Sequence, residues 1–169
     1  MNDAHLHLVV NHFPIIGTIL GLGILIAGLV LKNKSIQNTA FVLFVMAAVF
    51  GFFSMYTGEG AEEMVEDFPN IGKAIIHEHE ELAEKLALLL YATGIFALIS
   101  LYMGYKRAGS AKIVSLITLV LAVVSCLVSI KVGTSGGEIR HTEIRENNTE
   151  ISTVDKSETQ NEESKQEKE

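Results

Sequence analysis

The sequence predicts an all-α membrane protein, a four-transmembrane-helix bundle followed by a disordered acidic tail. Three observations carry this. Four runs of spanning length contain no charged residue, and the last 25 residues contain almost no apolar side chain. The 20% of charged residues are therefore confined to the connections and the tail of a chain that is 49% apolar. A soluble domain mixes the two along its length.

The charge-free runs are 13–31, 39–57, 86–105 and 113–130, of 19, 19, 20 and 18 residues. About 20 helical residues cross a hydrocarbon core of roughly 30 Å. Within lipid the backbone must satisfy its own hydrogen bonds, so each run is expected to be helical. Pro14 falls in the first turn of the first span, where its missing N–H costs nothing, and Asn11 or His12 is the natural N-cap. Asp3 is the only charged side chain ahead of this span. The run thus lacks the positive n-region of a signal peptide and exceeds the length of an h-region, so it is expected to stay as a helix. Gly17 and Gly21 form a G-x-x-x-G spacing that lets a neighbour approach closely.

Four spans return the chain to its starting side. The short loops 32–38 and 106–112 share one face and carry Lys32, Lys34, Lys106, Arg107 and Lys112 without an acid. The positive-inside rule places them in the cytoplasm of an inner (plasma) membrane, with both termini on the other side. Residues 1–144 make the membrane domain. Residues 145–169, rich in Glu, Asn, Ser, Thr and Lys and without an aromatic, are expected to be disordered. The net charge is −7, and acidity without a basic stripe argues against nucleic acid as a partner. The single cysteine, Cys126, lies inside an apolar run and can form no intrachain disulfide.

All six histidines, His5, His7, His12, His77, His79 and His141, fall on the non-cytoplasmic side, among most of the glutamates of the membrane domain. Imidazole can ligate a metal or haem iron, or anchor at the headgroups. Gly58 and Gly60 flank Glu59 and allow a turn that brings its carboxylate back over the bundle; the same stretch also reads as a helix end meeting water. Ahead of the third span, the stripe Ile76, His79, Glu80, Ala83, Leu86, Leu90 turns His79 inward and leaves His77 with Glu81 and Glu84 on a charged face. Glu80 is then placed to orient an imidazole. After the fourth span, Gly133, Gly136 and Gly137 are expected to stop the helix. Glu138 and His141 follow with the E-x-x-H spacing of di-iron carboxylate bundles, in a single copy.

The opening from His7 through His12-Phe13-Pro14, the pair His77/His79 before the third span, and Gly136-Gly137 with His141 after the fourth together resemble the DUF2231 family of bacterial four-span membrane proteins. The likeness covers residues 5–144. It departs from the family pattern at Leu8, where proline is usual, and at Asn11, where an apolar residue is usual. The resemblance implies His7, His12, one of His77 and His79, and His141 as the residues to watch. Related domains occur beside Rieske-type and cytochrome c modules, which implies redox work by association.

The leading functional expectation is haem b, or a metal, bound at the outer mouth of the bundle for electron transfer. Bis-imidazole ligation needs one histidine from each of two helices, and His12 with His79 is the expected pair, His141, His7 and His77 being alternates. Gly17 and Gly21 would leave room for the macrocycle. The alternative is a non-haem transition-metal ion held by histidine together with Glu59, Glu80 or Glu138. A membrane scaffold or accessory subunit without a cofactor is the third reading. A redox partner on the non-cytoplasmic side goes with the first. No Ser/His/Asp or Cys/His order suggests a hydrolase.

Overall fold

The computed structural model describes residues 2–66 and 71–145. Apart from Arg145, the expected tail lies outside them. The described residues form five helices, α1 (Asp3–Val10), α2 (His12–Val30), α3 (Lys34–Val65), α4 (Lys73–Tyr105) and α5 (Ala111–Arg140), and a short 3₁₀ turn, Thr142–Ile144. α1 and α2 run on from each other through Asn11, which keeps right-handed helical angles. The ladder is interrupted there because Pro14 has no N–H to give to Val10. Each of the four long segments, Asp3–Val30, Lys34–Val65, Lys73–Tyr105 and Ala111–Arg140, is long and apolar enough to cross a membrane. The chain is a multi-pass membrane protein.

Buried positions recur in steps of three and four. They are Pro14, Thr18, Gly21, Leu25 and Gly28 on α2, and Gln37, Ala40, Phe44, Ala47 and Gly51 on α3. On α4 they are Leu86, Leu90, Thr93, Ala97 and Ser100, and on α5 Ala111, Ser115, Thr118, Ala122, Ser125, Ser129 and Val132. This is a heptad repeat, which keeps one seam of each helix facing its partners. α2 packs on α3, α3 on α4, α4 on α5, and α5 closes the ring on α2. α1 packs mainly on the far end of α3.

The polarity of the cross-section is inverted relative to a soluble bundle. Thr18, Thr118, Ser125 and Ser129 have no exposed surface, whereas Leu88 is 69% and Val30 74% exposed. Lipid solvates the outer aliphatic side chains as well as a core would, so the interior is selected for close approach and hydrogen bonding. Thr93 and Ser125 pair across α4 and α5 at 3.1 Å, as do Ser100 and Thr118. The Thr118 hydroxyl donates to the Val114 carbonyl four residues back, so Ser100 donates to Thr118. Thr93 and Ser125 are each also within reach of the carbonyl four residues back; one gives its proton to that carbonyl and the other gives its proton across the interface.

The turns at the basic end are alike. Lys32 and Arg107 take left-handed angles, φ 52° and 51°, and the next amide in each, that of Asn33 or Ala108, bonds a carbonyl five residues back, that of Gly28 or Met103. This is the Schellman closure of a helix end. Asn33 then caps α3, its side chain accepting from Ser35 and Ile36.

Three local expectations are corrected. α3 does not end at Gly58–Gly60 but runs to Val65, and α5 does not stop at its glycines but runs to Arg140. The glycines serve packing, not turning. A Cβ on Gly58 would meet His7, one on Gly60 would meet Asp3, and one on Gly136 would meet His79. Asn11 does stand at the N-cap position of α2, but with a helical backbone and no capping bond from its side chain; the capping side chain is that of Asn2 at the start of α1, accepting from the amide of His5.

Candidate functional site

Two of the six histidines are drawn into the bundle, and they come from different helices. Counting back from Pro14 in heptad steps reaches Asn11 and then His7, which is half-buried. Counting back from Leu86 on α4 reaches Ala83, His79 and Ile76, and His79 is half-buried too. The seam that packs the membrane core thus carries an imidazole at the same end of each helix.

Both rings are fixed through Nδ1. His7 Nδ1 lies 3.1 Å from the Ser54 carbonyl oxygen and 3.1 Å from Thr57 Oγ1 on α3. A carbonyl can only accept, so in the neutral ring the proton sits on Nδ1. Thr57 spends its own hydroxyl proton on the carbonyls of Phe53 and Ser54, which leaves Oγ1 as a second acceptor. His79 Nδ1 lies 2.9 Å from Ser135 Oγ on α5, and the Ser135 hydroxyl donates to the Val132 carbonyl at 3.2 Å. With its proton on the Val132 carbonyl the Ser135 oxygen accepts from His79 Nδ1, and in that tautomer both imidazoles carry their unshared pair on Nε2. An imidazole oriented by a hydrogen bond at one nitrogen and basic at the other is the arrangement of metal-binding histidines.

His7 leans on α3 and His79 on α5, each over a glycine that lets the ring approach the backbone. The His79 Cε1 lies 2.9 Å from where a Gly136 Cβ would stand, and the His7 Cε1 lies 3.7 Å from that of Gly58. Beneath the pair is an apolar layer of Ala47, Leu86, Leu90 and Val132, with Ile15 and Val128 against it. It separates the site from the lower half of the bundle.

The remaining candidates stand apart. His12, the expected partner of His79, is exposed, with Nδ1 turned to the Leu8 carbonyl of the preceding turn at 2.9 Å. The reason is the register: His12 follows Asn11 by one residue, about 100° around the helix from the seam. His77 is exposed and faces Glu80 and Glu81, each at 3.5 Å, so Glu80 attends His77 and not the inward ring. His141 is exposed and pairs with Glu143 at 2.9 Å. The Glu143 carboxyl is held below its ordinary range by its own backbone N–H and by His141. Glu59 is exposed and Glu138 half-buried, and the Glu138 carbonyl takes a hydrogen bond from Arg145 at 2.8 Å. Among the described residues, no three His, Cys, Asp or Glu side chains gather as a metal-binding group.

The spaces expected at Gly17 and Gly21 are filled. A Cβ at Gly21 would meet the Phe44 ring at 2.7 Å, and one at Gly17 would meet Ala47 at 3.5 Å. These glycines seat α3. Ser54, Thr57 and Ser135 were not singled out from the sequence. The signal for them is the heptad register itself, which places Ser54 one step beyond Gly51. No family model, curated protein or solved structure matches the chain.

Proposed function

We propose that the protein is an electron-transfer component of the inner membrane, with His7 and His79 as the residues that would hold a haem b on its non-cytoplasmic face. The observation that supports this is the matched setting of the two rings: half-buried imidazoles from different helices, each meeting oxygen through Nδ1, His7 at Ser54 and Thr57 and His79 at Ser135. Two imidazoles from different helices are a set that would hold haem iron. Haem so held supplies reversible one-electron transfer. The chain's part is to fix both rings in one tautomer and to shield the site from below with the Leu86–Leu90–Val132 layer. The orientation, with both termini outside, rests on the five basic residues of the two opposite loops. The acidic mouth then faces a redox partner on that side, and the resemblance to the DUF2231 family belongs with the same reading.

A second reading has its own support. A bare transition-metal ion needs more than two donors, and Asn11 offers a buried amide oxygen one turn from His7. The experiment is an optical spectrum of detergent-purified protein from haem-replete cells, oxidised and then dithionite-reduced. A stoichiometric Soret band with a sharpened α band on reduction is expected. It should be lost in His7→Ala and His79→Ala and kept in His12→Ala and His77→Ala. A colourless protein carrying one equivalent of metal would replace haem by the ion. A protein with neither would leave the scaffold.

A further inference from the structure

The basic end of the molecule takes no part in the histidine site. Lys32, Lys34, Lys106, Arg107 and Lys112 are all exposed there, and no Asp or Glu occurs between Asp3 and Glu59 or between Glu84 and Glu138. Among the described residues none of the five is paired with a carboxylate. At the other end, by contrast, Lys73 meets Glu66 at 3.0 Å and Lys85 meets Glu81 at 3.1 Å. Helix C-termini favour a nearby cation, which accounts for Lys106 after α4. They do not account for Lys34, the first residue of α3, or Lys112, the second of α5, which stand at the positive ends of their helices. Nor do the turns need a charge at Lys32 or Arg107, whose left-handed backbone is the one that favours glycine. Four cations thus stand where the fold alone would prefer another residue, and what favours them is negative charge outside the chain. The α4–α5 turn also shows where that charge would lie. Tyr102 and Tyr105 are 63% and 83% exposed, with Lys106 Nζ 5.9 Å from the centre of the Tyr102 ring, and exposed tyrosines at the end of a span mark the headgroup layer. One residue past Lys112 begins an apolar groove of about 330 Å³ on the outer face of α5, lined by Ile113, Leu116, Ile117, Val120 and Leu121.

We propose that the α4–α5 turn binds an anionic phospholipid, its headgroup phosphate on Arg107 and Lys112 and an acyl chain along the Ile113–Leu121 groove of α5. The phosphate supplies the counter-charge that this end of the chain lacks, and the groove takes the apolar part of the same molecule. Arg107 can hold two phosphate oxygens through its fork of N–H groups, while Lys106 and Lys112 act as point charges. The groove is what favours a lipid over free phosphate, which has nothing to place there. The carboxylates of the opposite end repel the same lipid, so the preference belongs to one leaflet, whichever one the basic end meets.

The test is a titration of the full chain, in neutral detergent, with tail-labelled fluorescent phosphatidylglycerol, read by anisotropy beside the same label on phosphatidylcholine. Phosphatidylglycerol should bind the more tightly, and the difference should shrink as salt is raised. Each cation removed should weaken it about fivefold, so Arg107→Gly with Lys112→Gln should lose roughly 25-fold. Glycine suits the left-handed turn, so the lipid-free melting temperature of that variant should be unchanged or higher. Lys106→Gln with Lys112→Gln, on ordinary helical backbone, gives the same reading if the first variant is not recovered. Lys73→Gln with Lys85→Gln, which removes two cations already paired with glutamates, should bind within twofold of wild type. Val120→Trp, at a position 62% exposed, should fill the groove and weaken binding several-fold with every charge in place. Equal binding of the two lipids overturns the proposal, as does wild-type affinity in the turn variants or in Val120→Trp. Displacement of the labelled lipid by millimolar inorganic phosphate at constant ionic strength overturns it too, because the free anion would then be the ligand.

Discussion

At the residue scale the chemistry turns on where one proton sits. Ser135 gives its hydroxyl proton to Val132 and so can only accept from His79; the Ser54 carbonyl has no other option toward His7. ¹⁵N spectra of histidine-labelled, ligand-free protein at neutral pH should show two rings protonated at Nδ1, assigned to His7 and His79 by their alanine variants. Two Nε2-protonated rings would sink the ligand argument. The glycines supply a second test. At Gly136 an added Cβ lies 2.9 Å from the His79 ring, inside contact, while at Gly58 the distance to His7 is 3.7 Å. Alanine at either position gains up to about 1 kcal/mol of helix propensity. Gly136→Ala should nonetheless displace the ring from Ser135 and lower haem or metal affinity by tenfold or more, whereas Gly58→Ala should bind as wild type. A haem titration of both variants decides it.

At the element scale, the helices are joined by small residues and paired hydroxyls because lipid offers no hydrophobic drive to bring them together. The α4–α5 interface carries a polar rung at each of three levels, Ser100–Thr118, Thr93–Ser125 and His79–Ser135. These rungs fix the vertical register of α4 against α5 and thereby the height of His79. A double-mutant cycle on Thr93→Val and Ser125→Ala, measured by unfolding in mixed micelles, should give a coupling of about 0.6 kcal/mol, the mean for such bonds in membrane proteins. The seams themselves are legible in the sequence once the small and polar residues of each span are read at heptad spacing. Hydrophobic periodicity alone misses them, because both faces of a membrane helix are apolar. The inward position of His79 was readable because its segment is amphipathic. His7 was not, since its neighbours Leu6, Leu8, Val9 and Val10 are apolar all round.

At the scale of the whole molecule, charge separates along the membrane normal. Lys32, Lys34, Lys106, Arg107 and Lys112 lie at one end, and the carboxylates gather with the histidines at the other. The proposed orientation predicts the labelling of single cysteines in a Cys126→Ala background. Glu63→Cys should react with an impermeant maleimide in intact spheroplasts, and Lys34→Cys only after permeabilisation. The reverse pattern would turn the molecule over and place the histidine pair in the cytoplasm.

Number and order of the spans were determined by the sequence alone, because the cost of placing a charge or an open backbone in hydrocarbon leaves a long charge-free helix as the solution for each run. That one end gathers all the histidines follows from the same counting, since an even number of crossings fixes which connections share a side. Which two histidines turn inward was decided only by the tertiary structure. His7 and His79 are 72 residues apart in the chain, and each is oriented by a partner on another helix, His7 by Ser54 and Thr57 and His79 by Ser135. Glycines that read locally as helix breakers remain helical there because in the bundle their missing side chains make room for the rings and for Asp3. A glycine's freedom to turn is a property of its own backbone, but whether it turns depends on what packs against it.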